Sequence, residues 1–499
     1  MTPPPATAGA PRRWAALAAA VTSLFMTLID VSIVVVALPT IATGLDASTA
    51  QLQWVVASYA LAFGVVPVIA GRLGDDLGRR PMLLLGSAVF VATSLLAGFA
   101  PSIEVLIAAR VVQGLSGGLL NPQVSGIVQQ LFAPTERGRA FGLIGTAVGI
   151  ASAGGPVLGG LVIGLGGDAW GWRLCFLINL PVGLVSIVAC WRLLPPQPAR
   201  DTTRTRGLDL TGAALLALAL FAALFPFVQY DADRDLRLGW ILLAAVALGV
   251  AFWRWERGPA PRRGHPLVDL ALFRVRSFRA GVVLALFFFV AFVGLSLVLA
   301  LFVQDGLGFT ALQSGLASTA YAVGAAISAT VAGRFVDRLG RRLLVGALGV
   351  FVVGVAGAAV VALLLAGRIG NPAFVAVLAV PLFVAGFGGG GVLTPNQALS
   401  LVDVDVRGGS TAGGMLQTAQ RIGAAVSSVV VGAVFFAVAA GAPAAGARRA
   451  DHYGTAYAAA LIVSLLFALC AFVVAARDAR PSRTAVTSSV MSRVPTDPG

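Results

Sequence analysis

Long apolar stretches alternate with short polar loops along the whole chain. Each stretch is about as long as a helix must be to cross the hydrocarbon core of a bilayer, which takes roughly 20 residues. This pattern predicts an all-α polytopic membrane protein with fourteen transmembrane helices. The predicted helices lie near residues 15–38, 53–71, 82–100, 103–131, 141–165, 174–194, 209–229, 238–255, 279–303, 312–332, 343–366, 374–400, 410–440 and 455–476.

One ten-residue pattern occurs twice, each time between two predicted helices. Residues 71–80 read Gly-Arg-Leu-Gly-Asp-Asp-Leu-Gly-Arg-Arg, and residues 333–342 read Gly-Arg-Phe-Val-Asp-Arg-Leu-Gly-Arg-Arg. Each copy predicts a short basic hairpin, so the duplicated hairpin indicates a duplicated helix bundle. Internal repeats of this kind are typical of secondary transporters, in which the substrate site lies between the two repeats.

The two hairpins are further apart than six helices with short loops require. The excess falls in a charged segment that contains two further apolar stretches. We therefore predict two six-helix bundles with two extra helices between them. The predicted parts are a cytoplasmic tail at 1–14, a first bundle at 15–194, a linker with the two extra helices at 195–278, a second bundle at 279–476 and a disordered cytoplasmic tail at 477–499.

The distribution of arginine predicts the orientation. The chain has a net charge of +14, and its 35 basic residues are all arginine. If the amino terminus is cytoplasmic, 27 of them fall on the inner side, six on the outer side and two within helices. Because arginine concentrates in short cytoplasmic loops, we expect a multi-pass protein of the cytoplasmic membrane with both termini inside. The same asymmetry explains the basic charge without nucleic acid.

Several classes of protein are excluded or disfavoured by what the chain lacks. The three cysteines and two histidines are scattered, which predicts neither a metal site nor histidine-based chemistry. No arrangement typical of a membrane-embedded enzyme is present. The absence of lysine excludes the Gly-x-x-x-x-Gly-Lys phosphate loop of an ATP-driven pump. A channel is the remaining alternative, against which the internal repeat and the buried charges favour a carrier.

The hairpin pattern Gly-x-Leu-x-Asp-x-x-Gly-Arg-Arg between the second and third helices resembles the signature of the major facilitator superfamily. Four further stretches resemble motifs of its fourteen-helix drug:proton antiporter branch: Leu28–Pro39, Arg110–Gly118, Gly149–Gly160 and Trp172–Pro181. The second hairpin matches the signature less well. The resemblance implies the major-facilitator fold, no cofactor, and the proton gradient as the energy source.

Two charged residues within predicted helices are the candidates for proton coupling. Asp30 shares one face of the first helix with Ser23 and Thr27. An intramembrane carboxylate is costly unless it is protonated, paired or wetted, so we expect Asp30 to face a cavity and carry the proton; a structural aspartate is the alternative. By resemblance, Arg110 in the fourth helix tunes this proton transfer. Its alternative role is to anchor backbone carbonyls.

The hairpins are expected to hold a conformational latch on the cytoplasmic side. Asp75, an acid within a basic loop, can pair with that loop and with a neighbouring helix end in one conformation only, and Asp337 would repeat the arrangement. The expected basic partners in the first hairpin are Arg72, Arg79 and Arg80. Exposed ion pairs contribute about 0–1 kcal/mol, so such a latch would bias a balanced equilibrium. The alternative for the arginines is a role in topology alone.

The fifth predicted helix is smooth and rich in glycine. We expect it to pivot against a partner helix across the interface between the bundles, whereas close packing without movement is the alternative. Neighbouring helices make such residues tolerable by satisfying the freed backbone groups. The expected hinge residues are Gly149, Gly155, Pro156, Gly159 and Gly160.

A substrate cavity is expected between the two bundles. The residues expected to line it are Thr27, Trp54, Gln113, Gln417 and Arg421. Arg421 has three open roles: to hold an anionic substrate, to neutralise an acid or to brace the bundle. Aromatic residues around Trp54 would form a wall for hydrophobic cations, or would only pack.

Together these features predict a proton-coupled antiporter that exports hydrophobic, cationic drugs or antibiotics by alternating access. The alternative is export of an endogenous secondary metabolite or a lipid by the same mechanism. The expected partners are a small hydrophobic molecule, protons and the lipid bilayer, with no nucleic acid, and the protein is expected to be a monomer.

Overall fold

The protein is built almost entirely from long helices. The computed structural model describes residues 10–195, 209–233, 238–258, 267–268, 270–441 and 446–479. The helices are α1 (Ala10–Leu45), α2 (Thr49–Val65), α3 (Pro67–Leu77), α4 (Arg79–Gly98), α5 (Ile103–Leu131), α6 (Arg137–Leu177), α7 (Asn179–Leu193), α8 (Leu210–Asp233), α9 (Leu238–Arg257), α10 (Arg276–Leu301), α11 (Ala311–Leu339), α12 (Arg341–Leu365), α13 (Asn371–Ser400), α14 (Gly409–Ala439) and α15 (Ala447–Asp478).

Within the described residues, ten helical segments are long and apolar enough to cross a membrane, and an eleventh is the bent pair α2–α3. Two shorter apolar segments, Val157–Gly167 and Leu210–Pro226, fall below that length. The described part therefore supports a polytopic helical fold without reaching the predicted count of fourteen. Most of the two predicted tails and parts of the linker lie outside the described residues.

Two of the predicted helices differ in shape from a straight span. The predicted helix 53–71 is bent by 48° between α2 and α3. Pro67 begins α3 and has no backbone N–H to donate, which is why the helix breaks there. The long α6 changes direction at Gly167, whose φ of 60° favours glycine. The segment after that break, Trp170–Leu193, is one apolar span that includes α7.

The apolar core consists of more than one cluster, and one of these clusters extends across both halves of the chain. One cluster lies in the second half around Phe288, Phe351 and Phe435. Another cluster begins in the first half and continues across to Leu401 and Leu416 of the second half. The two halves therefore share buried apolar surface. The end of the molecule where they meet carries residues 72–80 and 334–342, and we call it the hairpin face.

Small residues allow the halves to approach closely. A Cβ atom at Gly142 of α6 would lie 3.2 Å from the Cα atom of Gly333 in α11, and one at Gly145 would lie 2.8 Å from the Cβ atom of Ala329. Small residues are common where membrane helices pack backbone to backbone. The α6–α11 contact therefore closes the interface near the hairpin face.

The first of the two extra helices packs beside this interface. In α8, Phe225 lies against Trp54 of α2, with ring centroids 6.0 Å apart. A Cβ atom at Gly64 of α2 would lie 2.6 Å from a methyl carbon of Leu224. Helix α8 thus covers α2, and it also packs against α9.

Candidate functional site

Asp30 and Arg110 form a buried ion pair inside the first half. Neither side chain is exposed by more than 1%. The Arg110 Nη1 atom lies 2.5 Å from Oδ2 of Asp30. The other carboxylate oxygen, Oδ1, accepts hydrogen bonds from Asn179 Nδ2 at 2.7 Å and from Gln113 Nε2 at 3.2 Å. Three helices, α1, α5 and α7, thus converge on one carboxylate.

Further groups hold this pair in place. Ser94 of α4 accepts hydrogen bonds from the amides of both Gln113 and Asn179, at 2.7 and 3.2 Å. The guanidinium of Arg110 donates through Nε to the Val55 carbonyl at 3.2 Å. Its carbon atom lies 4.2 Å from the centre of the Tyr59 ring, as a cation–π contact.

Sequence reasoning did not assign Asn179 and Ser94 to the site. Asn179 lay within the stretch Trp172–Pro181 that resembled a family motif, and its signal was a polar amide in an apolar run. Ser94 offered no comparable signal, because isolated serines are common in membrane helices and bond to their own backbone. Only the packing of α4 and α7 on α1 shows that both residues serve Asp30.

The polar face of α1 turns into the first bundle. The Ser23 hydroxyl lies 2.6 Å from that of Ser186 in α7. The Thr27 hydroxyl donates to the Leu24 carbonyl at 2.7 Å and is almost fully buried. In this structure, therefore, Asp30 is enclosed by neighbouring helices, and the face that carries it does not line a space between the two halves.

The two charges of this pair are chemically linked, so a change in one acts on the other. Each charge compensates the other, and removing one partner of a buried pair typically costs about 3–5 kcal/mol because the remaining charge is left alone. A proton on Asp30 would neutralise the carboxylate and free Arg110 to seek other partners. A change in protonation can therefore be converted into a change in how α1 and α5 pack.

Asp75 forms a second polar centre, at the hairpin face. Its Oδ1 atom accepts from Arg79 Nη2 at 3.0 Å and from the Ser410 amide at 3.2 Å. Its Oδ2 atom accepts from the Thr411 amide at 2.8 Å and from the Thr411 hydroxyl at 2.9 Å. These amides belong to the first turn of α14, where a helix attracts negative charge. The carboxylate therefore joins the first half to the second.

Arg79 strengthens the same junction. Its Nε atom donates to the Ser410 hydroxyl at 3.0 Å, and its other nitrogens donate to the carbonyls of Gly126 and Val406. The other two arginines of the hairpin make contacts within the first half. Arg72 pairs with Asp76 at 2.8 Å, and Arg80 donates to the Trp191 carbonyl.

The second hairpin does not reproduce these contacts. Asp337 makes no hydrogen bond or ion pair with any residue that the structure describes. Its carboxylate lies beside Gly138 at the start of α6. Arg341 pairs instead with Asp478 at the end of α15, and Arg276 lies 3.4 Å from the same carboxylate. The repeated sequence is thus used in two different ways.

The glycines of the expected hinge face two different helices. A Cβ atom at Gly149 would lie 2.7 Å from that of Ala326 in α11, whereas one at Gly159 would lie 3.4 Å from the Ile33 carbonyl of α1. Gly155 lies against α1 as well, Gly160 faces open space, and Pro156 continues the backbone of α6. Helix α6 thus contacts the second half with its first part and the first half with its later part.

The five expected cavity residues occupy three places. Thr27 and Gln113 lie inside the first half, and Trp54 packs against α8. The other two lie where the halves face each other. Gln417 donates to Asn121 Oδ1 at 2.8 Å, and the guanidinium carbon of Arg421 lies 4.3 Å from the centre of the Phe63 ring.

Two helical halves that share buried surface and enclose a charged pair fit a membrane transporter rather than an enzyme. The family comparison agrees. The model of the Major Facilitator Superfamily matches residues 20–428, and the chain belongs to this superfamily.

Individual relatives carry names of exporters and resistance proteins. The chain is 36% identical to the "Probable actinorhodin transporter" of Streptomyces coelicolor, over 85% of this chain and 73% of the relative. It is 32% identical to a puromycin resistance protein of Streptomyces alboniger, over 93% of this chain and 91% of the relative.

A solved structure shows the same fold. The human organic anion transporter MFSD10 superposes with a TM-score of 0.61 and 19% identity, over 91% of this chain and 99% of that chain. At this identity the likeness shows the fold alone.

Proposed function

We propose that the protein is a proton-coupled antiporter that exports hydrophobic small molecules, antibiotics among them, across the cytoplasmic membrane. The observation that carries this proposal is the fully buried Asp30 held by Arg110. A charged pair is costly inside a membrane protein and marks proton relays and ion pathways there. The resistance and export functions in the names of the relatives support the direction and the kind of cargo.

In the proposed topology the chain crosses the membrane fourteen times, and the hairpin face is cytoplasmic. The excess of arginine at that face supports this orientation. The latch between Asp75 and α14, and the close α6–α11 contact, join the halves at this face. We therefore assign this structure to the state of the cycle that is closed towards the cytoplasm.

The proposed cycle links the proton to this closure. A proton reaches Asp30 from outside and neutralises it, Arg110 is released, and the latch opens towards the cytoplasm. Cargo then enters between the halves, Asp30 returns its proton to the cytoplasm, and the restored Asp30–Arg110 pair favours the outward state. The membrane potential supplies about 2.3 kcal/mol per net charge per 100 mV.

The test uses inverted membrane vesicles with an imposed proton gradient. Addition of a panel of antibiotics, puromycin included, should release protons from the vesicles through wild-type protein. Asp30→Asn should abolish this release while the protein still folds and inserts. Asp46→Asn is the matched control, because Asp46 lies in the turn just after the far end of the same helix, with a positive φ that asparagine adopts well. Full proton release by Asp30→Asn would overturn the assignment.

The same panel separates drugs from endogenous cargo. If lipid or secondary-metabolite extracts release protons and the antibiotics do not, the mechanism stands and the cargo is endogenous.

A further inference from the structure

Arg421 lies at the interface between the halves and has no hydrogen-bond or ion-pair partner among the described residues. It lies near the middle of α14, where its guanidinium faces the ring of Phe63 in α2 at 4.3 Å. Within the described part of the chain it makes no hydrogen bond or ion pair. Charged groups within membrane-spanning helices are costly and usually mark functional sites, so the missing partner of Arg421 in the described residues requires an explanation.

Two of the three roles left open by the sequence do not fit this geometry. The intramembrane acid singled out in the sequence, Asp30, is already paired with Arg110 and enclosed in the first half. A bracing arginine would donate to backbone carbonyls, as Arg173 does to Gly98 and Ala100 at 3.1 and 3.0 Å. Among the described residues Arg421 does neither, so the remaining role is to hold an anionic substrate.

Neighbouring polar atoms provide an independent indication of a ligand. Gln417 lies one turn before Arg421 in α14 and is only 3% exposed. Its amide nitrogen donates to Asn121, but its Oε1 atom is buried and has no partner in the described residues. The buried hydroxyl of Thr418 is also unpartnered there. Buried polar atoms are normally satisfied, so these two can accept or donate hydrogen bonds to a bound molecule.

The opposite wall is aromatic. Phe63 stacks on Tyr59, with ring centroids 6.0 Å apart and an interplanar angle of 29°. Tyr59 in turn contacts the guanidinium of Arg110 at 4.2 Å. The guanidinium of Arg421 thus contacts one ring of this aromatic pair, and the guanidinium of Arg110 contacts the other. The pair of rings links Arg421 to the buried Asp30–Arg110 ion pair. An aromatic ligand held by Arg421 would therefore lie beside these two buried rings.

We propose that Arg421 binds the carboxylate of the cargo, and that the cargo is an aromatic, otherwise apolar organic acid. A guanidinium binds a carboxylate through two parallel hydrogen bonds, and Gln417 and Thr418 would bond to further oxygens of the ligand. This inference rests on the proposed function and gives its cargo a negative charge, in contrast to the cationic drugs expected from the sequence.

Equilibrium binding tests the inference without a proton gradient. The purified full-length protein in lipid nanodiscs is titrated calorimetrically with anthraquinone-2-carboxylate, with the uncharged anthraquinone-2-carboxamide and with the cationic 2-(aminomethyl)anthraquinone. The carboxylate should bind at least tenfold more tightly than the carboxamide, and the cation most weakly. Equal binding of the carboxylate and the carboxamide, or tightest binding of the cation, would overturn the proposal.

Substitutions locate the preference. Arg421→Gln should remove the tenfold difference, and Arg421→Lys should retain part of it. Arg173→Gln is the matched control, since Arg173 also lies over an aromatic ring, that of Trp172 at 4.3 Å, but away from this interface; it should keep the full preference. An unchanged preference in Arg421→Gln contradicts the proposal. If that variant does not fold, the three-probe comparison in the wild-type protein still decides.

The outcomes separate this inference from the proposed function. A carboxylate preference that depends on Arg421, together with failure of the Asp30 vesicle test, would retain the anion site and reject proton coupling. Proton-coupled export without the preference would retain the antiporter and reject the anion site.

Discussion

The carboxylate of Asp75 accepts a 2.8 Å hydrogen bond from the backbone amide of Thr411, a residue 336 positions further along the chain. This bond crosses from the first half of the protein to the second. With the Ser410 amide, it places a negative charge at the amino-terminal end of α14, where the helix favours it. The equivalent acid of the second hairpin, Asp337, has no such bond within the described residues.

Removal of the charge at Asp75 should slow transport rather than weaken cargo binding. Hydrogen bonds to a charged group contribute about 1.5–3 kcal/mol, so Asp75→Asn should shift the balance between the two states by roughly tenfold or more and lower the export rate accordingly. Export rates measured over a range of cargo concentrations separate the maximal rate from the apparent affinity.

Asp337→Asn is the internal control for this prediction and should change the rate by less than about twofold, because Asp337 lacks the cross-half bonds within the described residues. Equal effects of the two substitutions, or a loss of affinity with an unchanged maximal rate in Asp75→Asn, would contradict a latch.

Asn179→Ala should weaken the site around Asp30. The substitution removes a 2.7 Å hydrogen bond to a fully buried carboxylate. We expect a loss of about 1.5–3 kcal/mol of stability, as for other hydrogen bonds to charged groups, and reduced proton release in the vesicle assay. Thermal unfolding in detergent measures the loss of stability.

Asn371→Ala is the control, because it removes a hydrogen bond to the Leu307 carbonyl away from the site and should cost only about 1 kcal/mol. If Asn179→Ala costs no more than this control, Asn179 does not support the Asp30 carboxylate.

Two glycines of α6 should respond differently to the same change. In Gly149→Ala the new methyl group would lie 2.7 Å from the Cβ atom of Ala326, so α6 and α11 must separate, and the export rate should fall severalfold. In Gly160→Ala the methyl group meets open space, and the helix should gain up to about 1 kcal/mol in propensity. Spin-label distances across α6 and α11 report the separation. Similar distances and rates in both variants would exclude a role for close α6–α11 packing.

Glu256 is a buried carboxyl that sequence reasoning missed. It follows the predicted span 238–255 and accepts a hydrogen bond from the Val268 amide at 3.2 Å, while its Oε2 atom has no partner in the described residues. Burial raises the pKa of the Glu256 carboxyl to about 7. The hydrogen bond from Val268 and the positive charge of Arg72 oppose this rise, whereas the negative charge of Asp209 adds to it.

This shift predicts how stability depends on pH. Because the folded protein favours the protonated form, the Glu256 carboxyl is tolerated at low pH and destabilises the fold as the pH rises through about 7. Glu256→Gln keeps an acceptor for Val268 and removes the charge. Its unfolding temperature should exceed that of the wild type at pH 8 and match it near pH 5. A stabilisation of equal size at both pH values would show that ionisation is not the cause.

The sequence predicted the membrane-spanning helices and the buried charges, because both follow from the cost of polar groups in a bilayer. The bend at Pro67 was missed, since the apolar pattern of 53–71 is continuous across it. Trp54 was expected in a cavity, yet it contacts Phe225 of α8. Hydropathy reports that a residue is buried but not which helix buries it.

By itself, the sequence determined that the chain is a polytopic helical protein with a duplicated hairpin and with Asp30 and Arg110 inside its helices. Only the tertiary structure decided that these two charges pair with each other, that Asn179 supports them, that Asp75 reaches α14 and that Arg421 has no partner within the described residues. The physical reason is range. Hydropathy and helix formation act between near neighbours in the chain, whereas a charge is satisfied by whichever helix packs against it, often more than a hundred residues away.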